Sequence, residues 1–144
     1  MDKRFLYIGC FPDPREFQEK ITSIHSQRLE RVIDCPHVTF VFAPKDVDTT
    51  LFGQPIRVRI TGYGKSEKNE GVSVTLHAQD PALQKMIDAI PVPHITISVS
   101  EEGVPFETRN LEFHEISPVE LWGLFGGMTN GNRVVTRKNF NFEK

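Results

Sequence analysis

Hydrophobic and polar positions alternate between two periods along the chain, and each change of period marks an element. Phe5-Leu-Tyr-Ile-Gly-Cys10 is an apolar run closed by Pro12-Asp13-Pro14, which predicts a first strand. Phe17, Ile21, Ile24, Leu29 and Val32 then recur at helical intervals with charged residues between them, so the longest helix is expected from Pro14 onward. Cys35-Pro36 stops it, because a residue before proline avoids helical dihedrals, and His37 to Phe42 reads as a β-branched and aromatic strand. In Pro55 to Thr61, Ile56, Val58 and Ile60 fall on one face and Arg57, Arg59 and Thr61 on the other, the signature of a half-buried strand. Gly62 to Gly71 reads as a polar loop, and Val72, Val74 and Leu76 as the returning strand of a hairpin.

The second half runs in a similar order. Asp80 is a natural N-cap with Pro81 at the first helical position, and Leu83, Met86, Ile87 and Ile90 form the buried stripe of a short helix that Pro91 and Pro93 end. Strands are expected at His94 to Val99, Leu111 to Ile116 and Val119 to Phe125, with a turn-rich stretch at Glu101 to Asn110. Gly126 to Gly131 reads as a hairpin turn before Val134-Val135. Strands joined by short hairpins and mixed with helices predict an α+β fold with largely antiparallel sheet.

Composition sets the scale of this fold. With 144 residues, 38% of them hydrophobic, and glycines and prolines scattered without a period, one domain spanning 1–144 is expected to bury a core without a metal or disulfide staple. Cys10 and Cys35 are accordingly read as free thiols. The formal net charge of −2 argues against coating duplex nucleic acid by bulk electrostatics and leaves a small anionic ligand open. Phe5 to Phe11 is too short for a membrane span and lacks a signal-peptide cleavage site, so a cytoplasmic protein with no membrane partner is expected.

The candidate chemistry lies in a repeated pattern. Pro36-His37-Val38-Thr39-Phe40 and Pro93-His94-Ile95-Thr96-Ile97 both read Pro-His-apolar-Thr-apolar at the start of a predicted strand. Side chains alternate across a strand, so each His and the Thr two positions on share a face about 7 Å apart while the apolar residue between them faces the core. If a pseudo-two-fold relates the halves, two imidazoles and two hydroxyls surround one bound group. That set suits hydrolysis of a cyclic phosphodiester, which needs a base for the attacking water and an acid for the leaving ribose oxygen. Histidine, with an ordinary pKa of about 6.5, supplies either form near neutrality, and threonine hydroxyls donate to non-bridging oxygens.

On these two motifs and on the order of elements around them, the chain resembles the two-histidine (2H) phosphoesterase superfamily, also called LigT-like, marked by paired His-x-Ser/Thr-x motifs. The resemblance implies a bilobal pseudo-two-fold fold, with two largely antiparallel sheets forming a central cleft and helices outside. It implies a metal-independent, cofactor-free phosphodiesterase acting as a monomer on 2′,3′-cyclic phosphate ends of RNA or on related cyclic nucleotides. His37 and His94 would be acid and base, and Thr39 and Thr96 phosphate ligands. RNA 2′,5′ ligation, 2′,5′-phosphodiester cleavage, and a non-catalytic module binding RNA ends are the competing readings.

Tyr63, Trp122 and Phe125 are candidates to stack on a base, and Arg133 to reach phosphate. Arg57 and Arg59, with Lys65 and Lys68 in the expected loop, read first as a solvated sheet face, with an anionic groove that holds the rest of a nucleotide chain as the alternative, and His25, His77 and His114 read as surface or structural residues. No spacing among His, Cys, Asp and Glu suggests a metal site.

Overall fold

A computed structural model describes residues 4–137. In chain order come β1 (Phe5–Pro12), α1 (Pro14–Ile24), β2 (Arg31–Val32), β3 (Val38–Phe42), β4 (Pro55–Lys65), β5 (Asn69–Ala78), α2 (Pro81–Asp88), β6 (His94–Val99), β7 (His114–Thr129) and β8 (Val134–Val135). Short 3₁₀ helices cover Thr49–Leu51 and Pro105–Asn110. All described strand pairs are antiparallel, so the α+β architecture with antiparallel sheet stands. The strand order is β2-β6-β5-β4-β7-β1-β3, with β8 paired to β7 off this path. Hydrogen bonding is continuous along it, so the two halves expected as separate sheets are joined here through the β4–β7 ladder.

Three elements differ from the sequence expectation, each for a local reason. Helix α1 stops at Ile24, because His25 is extended and the Arg28 guanidinium turns back onto the carbonyls of Ile21 and His25, giving the helix end its partners. Leu29 N–H donates to Ser98 Oγ at 3.0 Å, which carries the chain across to β6 instead of into more helix. The Gly62 to Gly71 segment is mostly strand. A Cβ on Gly64 would lie 2.9 Å from Glu112 O, so this glycine permits a close neighbour inside the sheet, and the turn shrinks to the residues around Ser66, whose N–H donates to Asn69 O. The two strands expected at 111–116 and 119–125 fuse into β7, which begins at His114 and runs on through Gly126 and Gly127 to Thr129. Pro118 is tolerated there because the β4–β7 register shifts between Ile60↔Val119 and Gly62↔Glu115, and a bulge asks for no ladder donor at that point.

One sheet face builds the core. Val38, Cys10, Phe125, Ile56, Val58 and Ile95 are buried there, and α1 adds Phe17 and Ile21 while α2 adds Leu83 and Ile87. Both helices start as capping chemistry requires: Asp13 accepts from Glu16 N–H, Asp80 accepts from Ala82 and Leu83 N–H, and Pro14 and Pro81 follow the caps. The opposite face carries the histidine motifs. Among the described residues no helix is long and apolar enough to cross a membrane.

Candidate active site

His37 sits just before β3 and His94 opens β6, near opposite ends of the sheet path. Register places them on one face. Thr39 pairs with Gly9, and Phe11, two positions on, lies beside the His37 ring at 6.0 Å; at the far side His94 pairs with Ser73 of β5. The sheet bends so that the two ends of this face meet, and both histidines and both threonines line one cavity of about 290 Å³. That volume lies at the small end of ligand pockets.

The two imidazoles are held in matching ways. His37 Nδ1 lies 3.0 Å from Cys35 O, and His94 Nδ1 lies 2.8 Å from Val92 O, each contact reaching two residues back across the intervening proline. A carbonyl can only accept, so both Nδ1 atoms carry the proton and both Nε2 atoms keep a lone pair. Pro36 and Pro93 fix the carbonyl that each ring needs, which explains locally why both motifs begin with proline. Burial pushes the pKa of His37 below the ordinary histidine value against the raising effect of the Cys35 carbonyl, with the nearby His94 lowering it further. Burial also lowers that of His94, opposed by the Val92 carbonyl and assisted by the Arg109 guanidinium. Both rings therefore favour the neutral form near pH 7.

The threonines are not equivalent. Thr39 lines the cavity with a hydroxyl that has no protein partner among the described residues. The Thr96 side chain is buried, with Oγ1 3.1 Å from Pro105 O and 2.9 Å from Thr108 Oγ1, while Asn69 Nδ2 donates to Thr108 Oγ1 at 3.0 Å. One arrangement satisfies all three contacts: Thr96 donates to Pro105 O and accepts from Thr108. Its single proton is then committed to anchoring the 3₁₀ helix Pro105–Asn110, so Thr96 in this structure holds the cavity wall and has no donor left for a phosphate.

That helix brings in residues the sequence reading missed. Phe106 and Arg109 line the cavity, with the Arg109 guanidinium carbon 4.7 Å from the centre of the Phe106 ring. Phe42 at the end of β3 meets Phe106 edge-on at 6.4 Å, and both rings are more than half exposed at the cavity mouth. The only sequence signal for them was a turn-rich stretch of ordinary composition, and their role comes from the packing of Thr108 under β6.

The remaining candidates lie elsewhere. Tyr63 stacks on His25 at 5.2 Å and its hydroxyl donates to buried Glu70, a structural contact away from the cavity. Phe125 is core, packed against Phe40 and Phe52, and cannot reach a ligand. Arg133 is exposed next to β8, where its backbone N–H donates to Thr129. Trp122 is exposed on the open face of β7 and outside the cavity. Both cysteines are free thiols, and burial raises the pKa of each, keeping them protonated. Among the described residues no group of three or more His, Cys, Asp or Glu is arranged to hold a metal ion. No protein-family model matches the chain, and no curated protein matches it.

Proposed function

We propose that the protein is a phosphodiesterase that opens 2′,3′-cyclic phosphates at RNA ends or on nucleotides, with His37 and His94 as the acid–base pair. The observation that carries this reading is the matched presentation of two Nδ1-anchored imidazoles, each with a threonine two residues on, in one cavity. One neutral Nε2 takes a proton from water as its oxygen attacks phosphorus. The other ring, protonated, gives its Nε2 proton to the leaving ribose oxygen. The phosphodiester itself sets the second protonation state. Its negative charge favours imidazolium, so binding raises a pKa that burial had lowered and loads one ring with the proton it must deliver.

Thr39 and Arg109 complete the site. Thr39 has a hydroxyl available for a non-bridging oxygen, and the Arg109 guanidinium offers a charged fork beside His94. Phe42 and Phe106 provide exposed aromatic surface at the mouth for the attached base. The paired motifs on facing strands also support the pseudo-two-fold cleft that the superfamily resemblance implies.

The test is incubation of the purified protein with 2′,3′-cyclic nucleotides and cyclic-phosphate-ended RNA in EDTA. Loss of either acid–base group should lower kcat by about 10²–10⁴-fold in His37→Ala and in His94→Ala. Full activity in both single variants would end the assignment. Joining of RNA ends would redirect it to ligation, and binding without turnover to a non-catalytic module.

A further inference from the structure

We propose that the sheet face shared by the two histidines continues as a binding track for the single-stranded RNA chain behind the reactive end. The inference rests on the proposed function for that end, but its residues are separate from the cavity.

Strand register defines the track. Phe11, beside His37, pairs with Leu124 of β7, and Trp122, two residues from Leu124, points to the same face. Trp122 pairs with Arg57 of β4, which pairs with His77 of β5; Arg59 pairs with Thr75; and Ser73, on that same face of β5, pairs with His94. A continuous surface thus runs from one catalytic strand to the other across the middle of the sheet. Arg59 on β4 lies two strand spacings, about 10 Å, from β6.

The side chains on this surface are unusual for a merely solvated face. Trp122 is 55% exposed, although a ring of that size is normally covered, and the Arg57 guanidinium lies over it at 5.1 Å. Arg59, Thr61, Ser73 and Thr75 line an open groove of about 410 Å³. Neither arginine forms an ion pair among the described residues, even though Glu120 is the register partner of Arg59 and Glu115 borders the groove. The surface therefore offers a flat aromatic platform, two guanidinium groups without an ion-pair partner among the described residues, and adjacent hydroxyl donors. An unstacked base takes the platform, and two successive phosphates take the guanidinium groups and the hydroxyls. A duplex keeps its bases stacked inside, and an acidic peptide has no flat ring for Trp122, so single-stranded RNA is the occupant that uses all three.

Trp122 is the only tryptophan, so its fluorescence reports on this surface. The His37→Ala/His94→Ala double variant, used so that the RNA end stays uncleaved, is titrated with single-stranded RNA of about eight nucleotides, a length within single-strand site sizes. The track requires quenching of Trp122 by this RNA, no quenching by a 2′,3′-cyclic mononucleotide, and binding weakened about tenfold by adding Arg57→Gln and Arg59→Gln. The same pair should reduce the log–log salt slope by roughly 1.4, about 0.7 for each phosphate that is no longer neutralised. Both arginines are exposed, and circular dichroism verifies that the variants fold. Absence of quenching, equal quenching by the mononucleotide or an acidic peptide, or unchanged affinity in the arginine variant would overturn the track. Failure of the catalytic reading shows separately, as no turnover of any cyclic phosphate by the unaltered protein.

Discussion

The ring of Tyr7 lies face-on to the imidazole of His37, with centroids 4.6 Å apart and planes inclined by 28°. Tyr7 comes from β1, beside β3 in the sheet, and stacks in turn on Phe11 at 6.0 Å. His37 is thus fixed by an aromatic floor under its ring and by the Cys35 carbonyl at its edge. The floor also takes water from the ring, which is the main cause of its lowered pKa. Tyr7→Ala should therefore lower kcat by about 10–100-fold through misplacement of the imidazole. It should also move the His37 titration, followed by NMR, back toward about 6.5. Tyr7→Phe keeps the stack and should restore both. Equal damage in the two variants would assign the effect to the hydroxyl and refute the stacking argument.

The rate profile with pH follows from the two lowered values. In the free enzyme one ring must be neutral and the other protonated, so kcat/KM is bell-shaped and its limbs belong to the pair. Both pKa values are pushed down by burial, so the maximum should fall on the acidic side of about pH 6.5. Arg109 contributes to the lowering at His94, and Arg109→Gln should shift the maximum to higher pH while weakening substrate capture. An unmoved optimum in that variant would exclude electrostatic coupling between Arg109 and His94.

The same groups affect folding. A histidine whose folded pKa lies below its unfolded value binds fewer protons when folded, so stability rises with pH between the folded value and about 6.5 and gains nothing from that group above it. As pH falls from about 7 to 5, the unaltered protein should lose stability in urea titrations, and the His37→Gln/His94→Gln variant should lose less over the same interval. Parallel curves for the two proteins would mean that these histidines titrate alike in the folded and unfolded states.

Much of the fold was legible because local signals agreed with tertiary demand. Asp80-Pro81 announced α2, the alternation of Ile56, Val58 and Ile60 announced β4, and the repeated Pro-His-x-Thr pattern located both sides of the cavity. Reading failed where a distant partner overrode the local pattern. Leu29 and Val32 continue a helical spacing, yet Ser98 and the β6 ladder draw that segment into extended structure. Gly62 and Gly64 resemble a turn, but they are glycines because Ser73, Phe113 and Glu112 crowd them inside a sheet. Thr96 and Thr39 are identical in sequence terms, and only the neighbouring Thr108 and Pro105 make one an anchor and leave the other available. Phe106 and Arg109 carry no periodic signature, so their place at the site arises from packing alone.

Gly71 is the position that allows that packing. It pairs with Thr96, and a Cβ there would collide with the Thr108 methyl and lie 2.8 Å from Ile95 O. Gly71→Ala should push the 3₁₀ helix away from β6, breaking the Thr96–Thr108 hydrogen bond and displacing Arg109. A stability loss of about 1–3 kcal/mol is expected from overpacking, together with a raised KM. Thermal unfolding and steady-state kinetics check both; an unchanged KM with the stability loss would show that Arg109 does not engage substrate.

Glu70 gives the last prediction, because it fixes the approach to His37 without touching the cavity. Its carboxylate is fully buried and accepts from Arg28, from the Tyr63 hydroxyl and from Ser98 Oγ at 2.7 Å. Arg28 is itself largely buried, so Glu70→Ala strands a charge and should cost about 3–5 kcal/mol. Replacing both with apolar residues of similar size, Arg28→Met with Glu70→Leu, should recover a large part of that loss, since no unpaired charge remains. The imidazole contacts of His37 and His94 are made to carbonyls two residues back, Cys35 and Val92, and involve neither Arg28 nor Glu70, so the double variant should keep its turnover at temperatures where it is folded. Hydrogen exchange would then locate the damage in Glu70→Ala. Faster exchange confined to residues 25–33 and their β6 partners fits a latch on that segment, and uniform acceleration across the sheet would refute it.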